Sequence, residues 1–249
     1  MRVLLLGGTA EARDLADRLD GVCEVVSSLA GRVRRPLLPA GEVRVGGFGG
    51  EQGFRDFVQT GHIDAVIDAT HPFARAMTAT AAKVASEQGI PYVRVQRPAW
   101  EPSSHDHWIS ALDVREAAQH LVRRYEGGIS ARALVTIGRQ ELAALFDAPI
   151  PMVARMIDPP AVTPPSHVEI LCARGPFALA DELSLLERIG ADVVVTKNSG
   201  GSATYPKILA ARRLQIPVVM IDRPPLPARA LVVPSAVEAI RWVTGLQTL

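Results

Sequence analysis

Lys197 and Lys207 bracket Asn198-Ser199-Gly200-Gly201-Ser202, a run of small, hydrogen-bonding residues that follows the β-branched Val193-Val194-Val195. Residues of these types between two ammonium groups could hold an anion. Glycine lets backbone N–H groups approach a phosphate or carboxylate, and a helix start adds partial positive charge. A helix is expected from near Ala203, so the stretch reads as strand, anion-seeking turn and helix. The plainer alternative is a connecting loop capped by Ser202, although the polar run is longer than a cap requires.

A second constellation lies near the start of the chain. Val3–Leu6 reads as a strand, Gly7-Gly8-Thr9 as a tight turn and Glu11–Leu19 as a helix with Leu15 and Leu19 on its apolar face. This order resembles the opening of a dinucleotide-binding β-α-β unit, with Thr9 in place of the second fingerprint glycine and Ala12 in place of the third. The next strand, Glu24–Ser28, runs into Ser27-Ser28-Leu29-Ala30-Gly31-Arg32, with no carboxylate at its end for a ribose 2′-hydroxyl. Serine hydroxyls and Arg32 suit a 2′-phosphate, hence NADPH rather than NADH. Arg32, Arg34 and Arg35 are equally accounted for as a solvated cluster in a loop closed by Pro36.

Asp68, Thr70 and His71 form a third group at the end of the strand Ile63–Ala69, with Pro72 opening the next helix. His71 could give a proton or hydrogen-bond a substrate, and could as well be a capping residue. His105-Asp106-His107 invites a metal reading, but the six histidines show no further ligand spacing, so no metal is expected.

The elements that must position these residues alternate strand and helix. Further strands are expected at Gly41–Gly47, Pro91–Val95, Ala133–Ile137, Met152–Met156, Val168–Cys172 and Pro217–Ile221. Helices are expected at Glu51–Thr60, Ala74–Glu87, Val114–Arg124, Ala180–Ile189 and Val237–Val243, with another after Gly138. Ile90–Pro98 and Ile216–Pro224 nearly repeat each other, as do Ile63–Thr70 and Ala191–Asn198, and Leu6–Glu11 and Ile137–Glu141. Three matches in one order imply an α/β protein of two similar Rossmann-like halves with parallel sheets, residues 1–102 and 103–249, with the ligand cleft between them.

The totals set limits. Lys plus Arg number 27 against 26 Asp plus Glu in 249 residues, so no global basic field would recruit nucleic acid or an anionic membrane. The first apolar run stops at Gly7-Gly8, too early for a secretory signal, and no stretch reaches the ~18 apolar residues of a membrane span. Cys23 and Cys172 read as small buried residues of a reduced compartment, placing the protein in the cytoplasm.

Four motifs then combine: Leu6-Gly7-Gly8-Thr9-Ala10-Glu11-Ala12-Arg13, Asp68-Ala69-Thr70-His71-Pro72-Phe73-Ala74, Thr136-Ile137-Gly138-Arg139-Gln140-Glu141-Leu142 and Thr196-Lys197-Asn198-Ser199-Gly200-Gly201. With Arg97-Pro98-Ala99-Trp100 they resemble the precorrin-6A reductases of cobalamin biosynthesis, over nearly the whole chain to Asp222-Arg223-Pro224. The resemblance implies NADPH-dependent reduction of one macrocycle double bond, giving precorrin-6B, and hand-over of the product to other corrin-pathway enzymes. The candidate cofactor contacts are then Gly7, Gly8, Thr9, Arg13, Ser28, Arg32, Thr70, Gly138 and Arg139, with Ser28 and Arg32 read from the end of the second strand alone. Substrate contacts fall at Asp68, His71, Lys197, Asn198, Ser199, Gly200, Gly201 and Lys207, where cations and N–H donors meet the tetrapyrrole's carboxylates. Arg75 is a further candidate cation. Lys197, His71, Tyr205 or water could complete the reduction with a proton. Cobalt-precorrin-6A reduction, another NADPH-dependent reduction, methyl transfer from S-adenosylmethionine, and nucleotide binding without chemistry are the alternatives.

Overall fold

In the computed structural model, which describes residues 1–129 and 132–247, strands and helices follow in the order β1 (Arg2–Leu6), α1 (Ala10–Leu19), β2 (Glu24–Leu29), β3 (Glu42–Val45), α2 (Glu51–Thr60), β4 (Ala65–Asp68), α3 (Arg75–Gln88) and β5 (Tyr92–Val95). The chain continues with β6 (Trp108–Ala111), α4 (Val114–Glu126), β7 (Ala133–Thr136), β8 (Met152–Met156), β9 (Val168–Cys172), α5 (Leu179–Ile189), β10 (Val193–Lys197), α6 (Pro206–Arg213), β11 (Val218–Ile221), β12 (Leu231–Val233) and α7 (Ala236–Leu246).

The strands form two six-stranded sheets, ordered β12-β5-β4-β1-β2-β3 and β6-β11-β10-β7-β8-β9, and every pairing is parallel. Read position by position, β5, β4, β1, β2 and β3 correspond to β11, β10, β7, β8 and β9. This is the repeat seen in the sequence, now as topology. Parallel strands covered on both faces read as continuous apolar runs, which is why Val3–Leu6 and Val193–Val195 show no polar alternation.

The first unit comprises Met1–Pro98 with Pro224–Leu249, and the second Ala99–Arg223. The sequence boundary after residue 102 therefore lies four residues late, and residues 224–249 belong with the first unit. The cause is an exchange of outer strands. β6 follows β5 in the chain but pairs with β11, while β12 follows β11 but pairs with β5. Both are short strands that the apolar pattern did not reveal.

Within the first unit, Val3 and Leu5 pack with Leu15, Leu19 and the α7 residues Ala239 and Val243. Leu4 and Leu6 face the other way, towards Phe54, Val58 and Val84. Within the second, Leu134, Val153 and Val194 pack with Leu185, Leu186 and Ile208. Each of these large side chains contributes about 1.5–3 kcal/mol on burial.

Three local expectations differ. The segment after Gly138 makes only a 3-10 turn, Leu142–Leu145, before Pro149 and Pro151 intervene. The helix expected from Ala203 starts at Pro206, with Tyr205 as its N-cap, because proline at the first helical position has no N–H to satisfy. Cys172 is exposed rather than buried, at the end of the outer strand β9, and Cys23 is half-buried.

Candidate active site

In the first unit, Thr9 is the N-cap of α1. Its hydroxyl accepts the Ala12 N–H at 3.1 Å and donates to the Ala69 carbonyl at 2.8 Å, tying the β1 turn to the end of β4. The Gly7 N–H donates to the Ser28 carbonyl, joining the same turn to β2. A Cβ on Gly7 would lie 3.3 Å from Leu29 Cδ2 and 3.4 Å from Ala12 Cβ, and Gly8 has a φ of +107°, so both positions favour glycine. Gly7, Gly8, Ala12 and Arg13 line a crevice of about 10 Å³ with Leu37 and Pro39, room for one water.

The base of this turn carries charge. Arg97 donates to both Glu11 carboxylate oxygens at 2.8–2.9 Å. Burial alone raises the Glu11 pKa, but Arg97 and hydrogen bonds outweigh it, so the carboxyl lies below its ordinary value. Glu11 is thus an anion neutralised by its own partner, leaving Arg13 as the cation lining the crevice.

Ser28 is held by a residue that the motifs did not single out. Arg44 donates to Ser28 Oγ at 2.8 Å and to the Gly46 and Gly47 carbonyls at 3.0 Å, while its guanidinium stacks 3.9 Å over the Phe48 ring. Arg32 lies in the exposed loop beyond β2. An arginine within a short strand, followed by glycines and an aromatic residue, was the available signal.

Asp68 is fully buried and heavily occupied. Arg94 donates to it at 2.6 Å, the Thr70 hydroxyl at 2.6 Å, the Thr70 N–H at 3.0 Å, the Thr78 hydroxyl at 2.7 Å and the Tyr92 hydroxyl at 3.0 Å. Instead of facing a substrate, Asp68 shapes the Thr70-His71 turn from below. Burial and the Asp68 charge push the Tyr92 phenol pKa far upward, keeping it a donor. His71 is exposed, and its Nδ1 accepts the Phe73 N–H at 3.3 Å, which leaves the proton of the neutral ring on Nε2.

In the second unit the turn after β10 is organised by Trp100. Asn198 accepts the Trp100 N–H at 2.8 Å and donates to its carbonyl at 2.9 Å, and the indole N–H donates to the Gly201 carbonyl at 2.8 Å. Gly200 and Gly201 adopt φ values of +67° and +74°. The Ser199 N–H turns back onto the Lys197 carbonyl, and the Arg223 guanidinium donates to the Asn198 carbonyl. Lys197 forms a close ion pair with Glu141, linking this turn to the β7 turn that holds Gly138, at φ +86°, and Arg139, which donates to the Pro159 carbonyl.

Two second-unit expectations change character. Lys207 is 3% exposed and donates to the Thr204 carbonyl at 3.0 Å, so it lies beneath the turn rather than on its surface. Tyr205 accepts from Arg212, whose guanidinium is fixed by Asp106 at 2.9–3.0 Å. Asp106 is therefore an ion-pair partner, and among the described residues no group of acidic, histidine and cysteine side chains could hold a metal.

Two parallel sheets of one order, each with glycine turns at its strand carboxyl ends, define a Rossmann-like α/β protein, the architecture that binds nucleotides and small anionic ligands at such turns. The chain belongs to the precorrin-6x reductase family CbiJ/CobK, whose family model matches residues 2–244. It is 49% identical to the precorrin-6A reductase of Rhodococcus erythropolis over 98% of both chains. The solved structure of a CobK precorrin-6A reductase superimposes with a TM-score of 0.89 at 34% identity, covering 98% of this chain and 96% of the other. A cobalt-precorrin-6A reductase from Methanothermobacter thermautotrophicus is 31% identical over 90% of this chain and 77% of its own. The chain is thus a member of a reductase family of cobalamin biosynthesis, and none of the helices, among the described residues, is long and apolar enough to cross a membrane.

Proposed function

We propose that this protein is a cytoplasmic enzyme that reduces one double bond of precorrin-6A with NADPH, giving precorrin-6B for the next corrin-forming enzyme. The observation that carries this reading is the 49% identity over 98% of both chains to a precorrin-6A reductase. The metal-free substrate is preferred because the cobalt-precorrin relative is only 31% identical.

The first unit has features that fit a nicotinamide dinucleotide. Gly7 and Gly8 keep backbone open at the start of α1, Arg13 supplies a cation for the pyrophosphate, and Thr9 and Thr70 fix the adjoining turns. Ser28 and Arg32 receive the 2′-phosphate, with Arg44 holding Ser28 in place. Leu37 and Pro39 line the same crevice. When bound, NADPH supplies the hydride.

The second unit offers Lys197, Asn198, Ser199 and the backbone of Gly200 and Gly201 to substrate carboxylates, while Gly138 and Arg139 on the neighbouring turn are the cofactor contacts of this unit. Of the proton-donor candidates, Lys197 is paired with Glu141, while Tyr205 accepts from Arg212 and keeps its own proton to donate. His71 is the most exposed of the three, and Nε2 is the ring nitrogen that would give the proton. Calorimetric titration with NADPH, NADH and S-adenosylmethionine tests the cofactor: NADPH should bind more tightly than NADH, and preferential binding of S-adenosylmethionine would overturn the assignment.

A further inference from the structure

Ser27 and Ser28 are neighbours in β2 and therefore face opposite sides of the sheet. In the β1–β2 register Ser27 lies beside Leu5, which packs against α1 at Leu15, and Ser28 lies beside Leu6, which packs against Phe54 and Val58. On its side Ser28 meets Arg44 of β3, whose guanidinium donates to its hydroxyl at 2.8 Å. Ser27 has no such neighbour. It is 1% exposed, and its Oγ is buried without a hydrogen-bond partner among the described residues.

A buried hydroxyl left without a bond is destabilising, and an alanine or valine at this place in a parallel strand would avoid the cost. What Ser27 faces accounts for it. Together with Gly7, Gly8 and Arg13 it lines the crevice at the start of α1, a helix of 10 residues whose first N–H groups have no partner inside the helix. The crevice holds about 10 Å³, enough for one water and nothing larger. A buried water is kept in place by two or more polar partners. Ser27 is one, and a nucleotide lying on the Gly7-Gly8 turn supplies another.

We propose that Ser27 is a positioning residue for the cofactor, holding a single water that bonds the ribose–pyrophosphate segment common to NADPH and NADH. This rests on the reading that the first unit binds a nicotinamide dinucleotide. The role differs from that of Ser28 and Arg32, which meet the 2′-phosphate carried by NADPH alone. Two adjacent serines thus serve different parts of one ligand, because the pleat turns one towards Arg13 and the other towards Arg44. A water bridge of this kind is nearly as favourable as a direct hydrogen bond, so its loss is measurable in affinity.

The test compares full-length Ser27→Ala with the wild-type protein by calorimetric titration with NADPH and with NADH. Both Kd values should rise about fivefold, leaving their ratio unchanged, while kcat at saturating NADPH stays as it was. The unfolding midpoint of the nucleotide-free variant should not fall, since no bond made within the protein is lost. Ser28→Ala is the contrast and should weaken NADPH more than NADH. Wild-type affinities in Ser27→Ala, or a loss confined to NADPH, would overturn the proposal. So would a lowered midpoint with kcat falling alongside, the mark of a serine that serves the fold alone. If the wild-type protein bound neither dinucleotide, the cofactor reading itself would fall and the role of Ser27 with it.

Discussion

Asn198 pairs with Trp100 as a strand neighbour would, its side-chain oxygen 2.8 Å from the Trp100 N–H and its amide nitrogen 2.9 Å from the Trp100 carbonyl. One side chain thus satisfies both backbone groups of a residue 98 positions away, and fixes where the turn after β10 begins. Asn198→Asp replaces the donor by an oxygen facing a carbonyl. A broken buried bond costs about 1–3 kcal/mol. The expected result is a lower unfolding midpoint and a precorrin-6A KM raised about tenfold, with the NADPH Kd unchanged. Steady-state kinetics and nucleotide titration of the same variant check both parts.

The Asp68–Arg94 pair is fully buried, with side chains 0% and 1% exposed. Removing one member leaves an uncompensated charge, so Arg94→Met should lose about 3–5 kcal/mol in urea unfolding. A loss below about 1 kcal/mol would show that the Thr70, Thr78 and Tyr92 donors alone satisfy Asp68.

Arg32 and Arg44 differ in what they should do to the cofactor. Arg44 holds the Ser28 side chain and two carbonyls, so Arg44→Ala should weaken NADPH most, through Ser28, and weaken NADH to a smaller but measurable degree through the loosened loop. Arg32→Ala should weaken NADPH about tenfold and leave NADH nearly unchanged, as expected for a contact made only with the 2′-phosphate. Equal losses in the Arg32 variant would remove that residue from the 2′-phosphate role.

Stability should depend on pH through Lys207. Its folded pKa of about 7 lies below the 10.5 of a free lysine. Between these values the unfolded chain binds more protons, so stability rises with pH across that window and is flat, as far as this group is concerned, below about pH 7. Lys207→Met removes the titration. Thermal unfolding of both proteins should show the variant's advantage shrinking, or its deficit widening, from about pH 7 towards pH 10.

Much of the architecture was legible because parallel strands buried on both faces appear as apolar runs, and the internal repeat announced two similar halves. The strand exchange was not, since Trp108–Ala111 and Leu231–Val233 are short and no local pattern tells a strand which sheet it will join. In the site, glycines announced turns correctly. Charges were harder: Lys207 and Asp68 sit beside recognisable motifs, yet burial turns them into supports. The signal for such partners lay elsewhere, in Arg94 and Arg155, arginines inside apolar strands where an unpaired charge is too costly to persist.

The central claim is most directly tested by anaerobic incubation of the purified protein with NADPH and precorrin-6A, beside a parallel run with cobalt-precorrin-6A. Nucleotide oxidation and loss of the substrate chromophore are followed together. One NADPH oxidised per precorrin-6A reduced, with the cobalt form turned over more slowly, is the predicted result. NADPH binding without reduction of either macrocycle would contradict it.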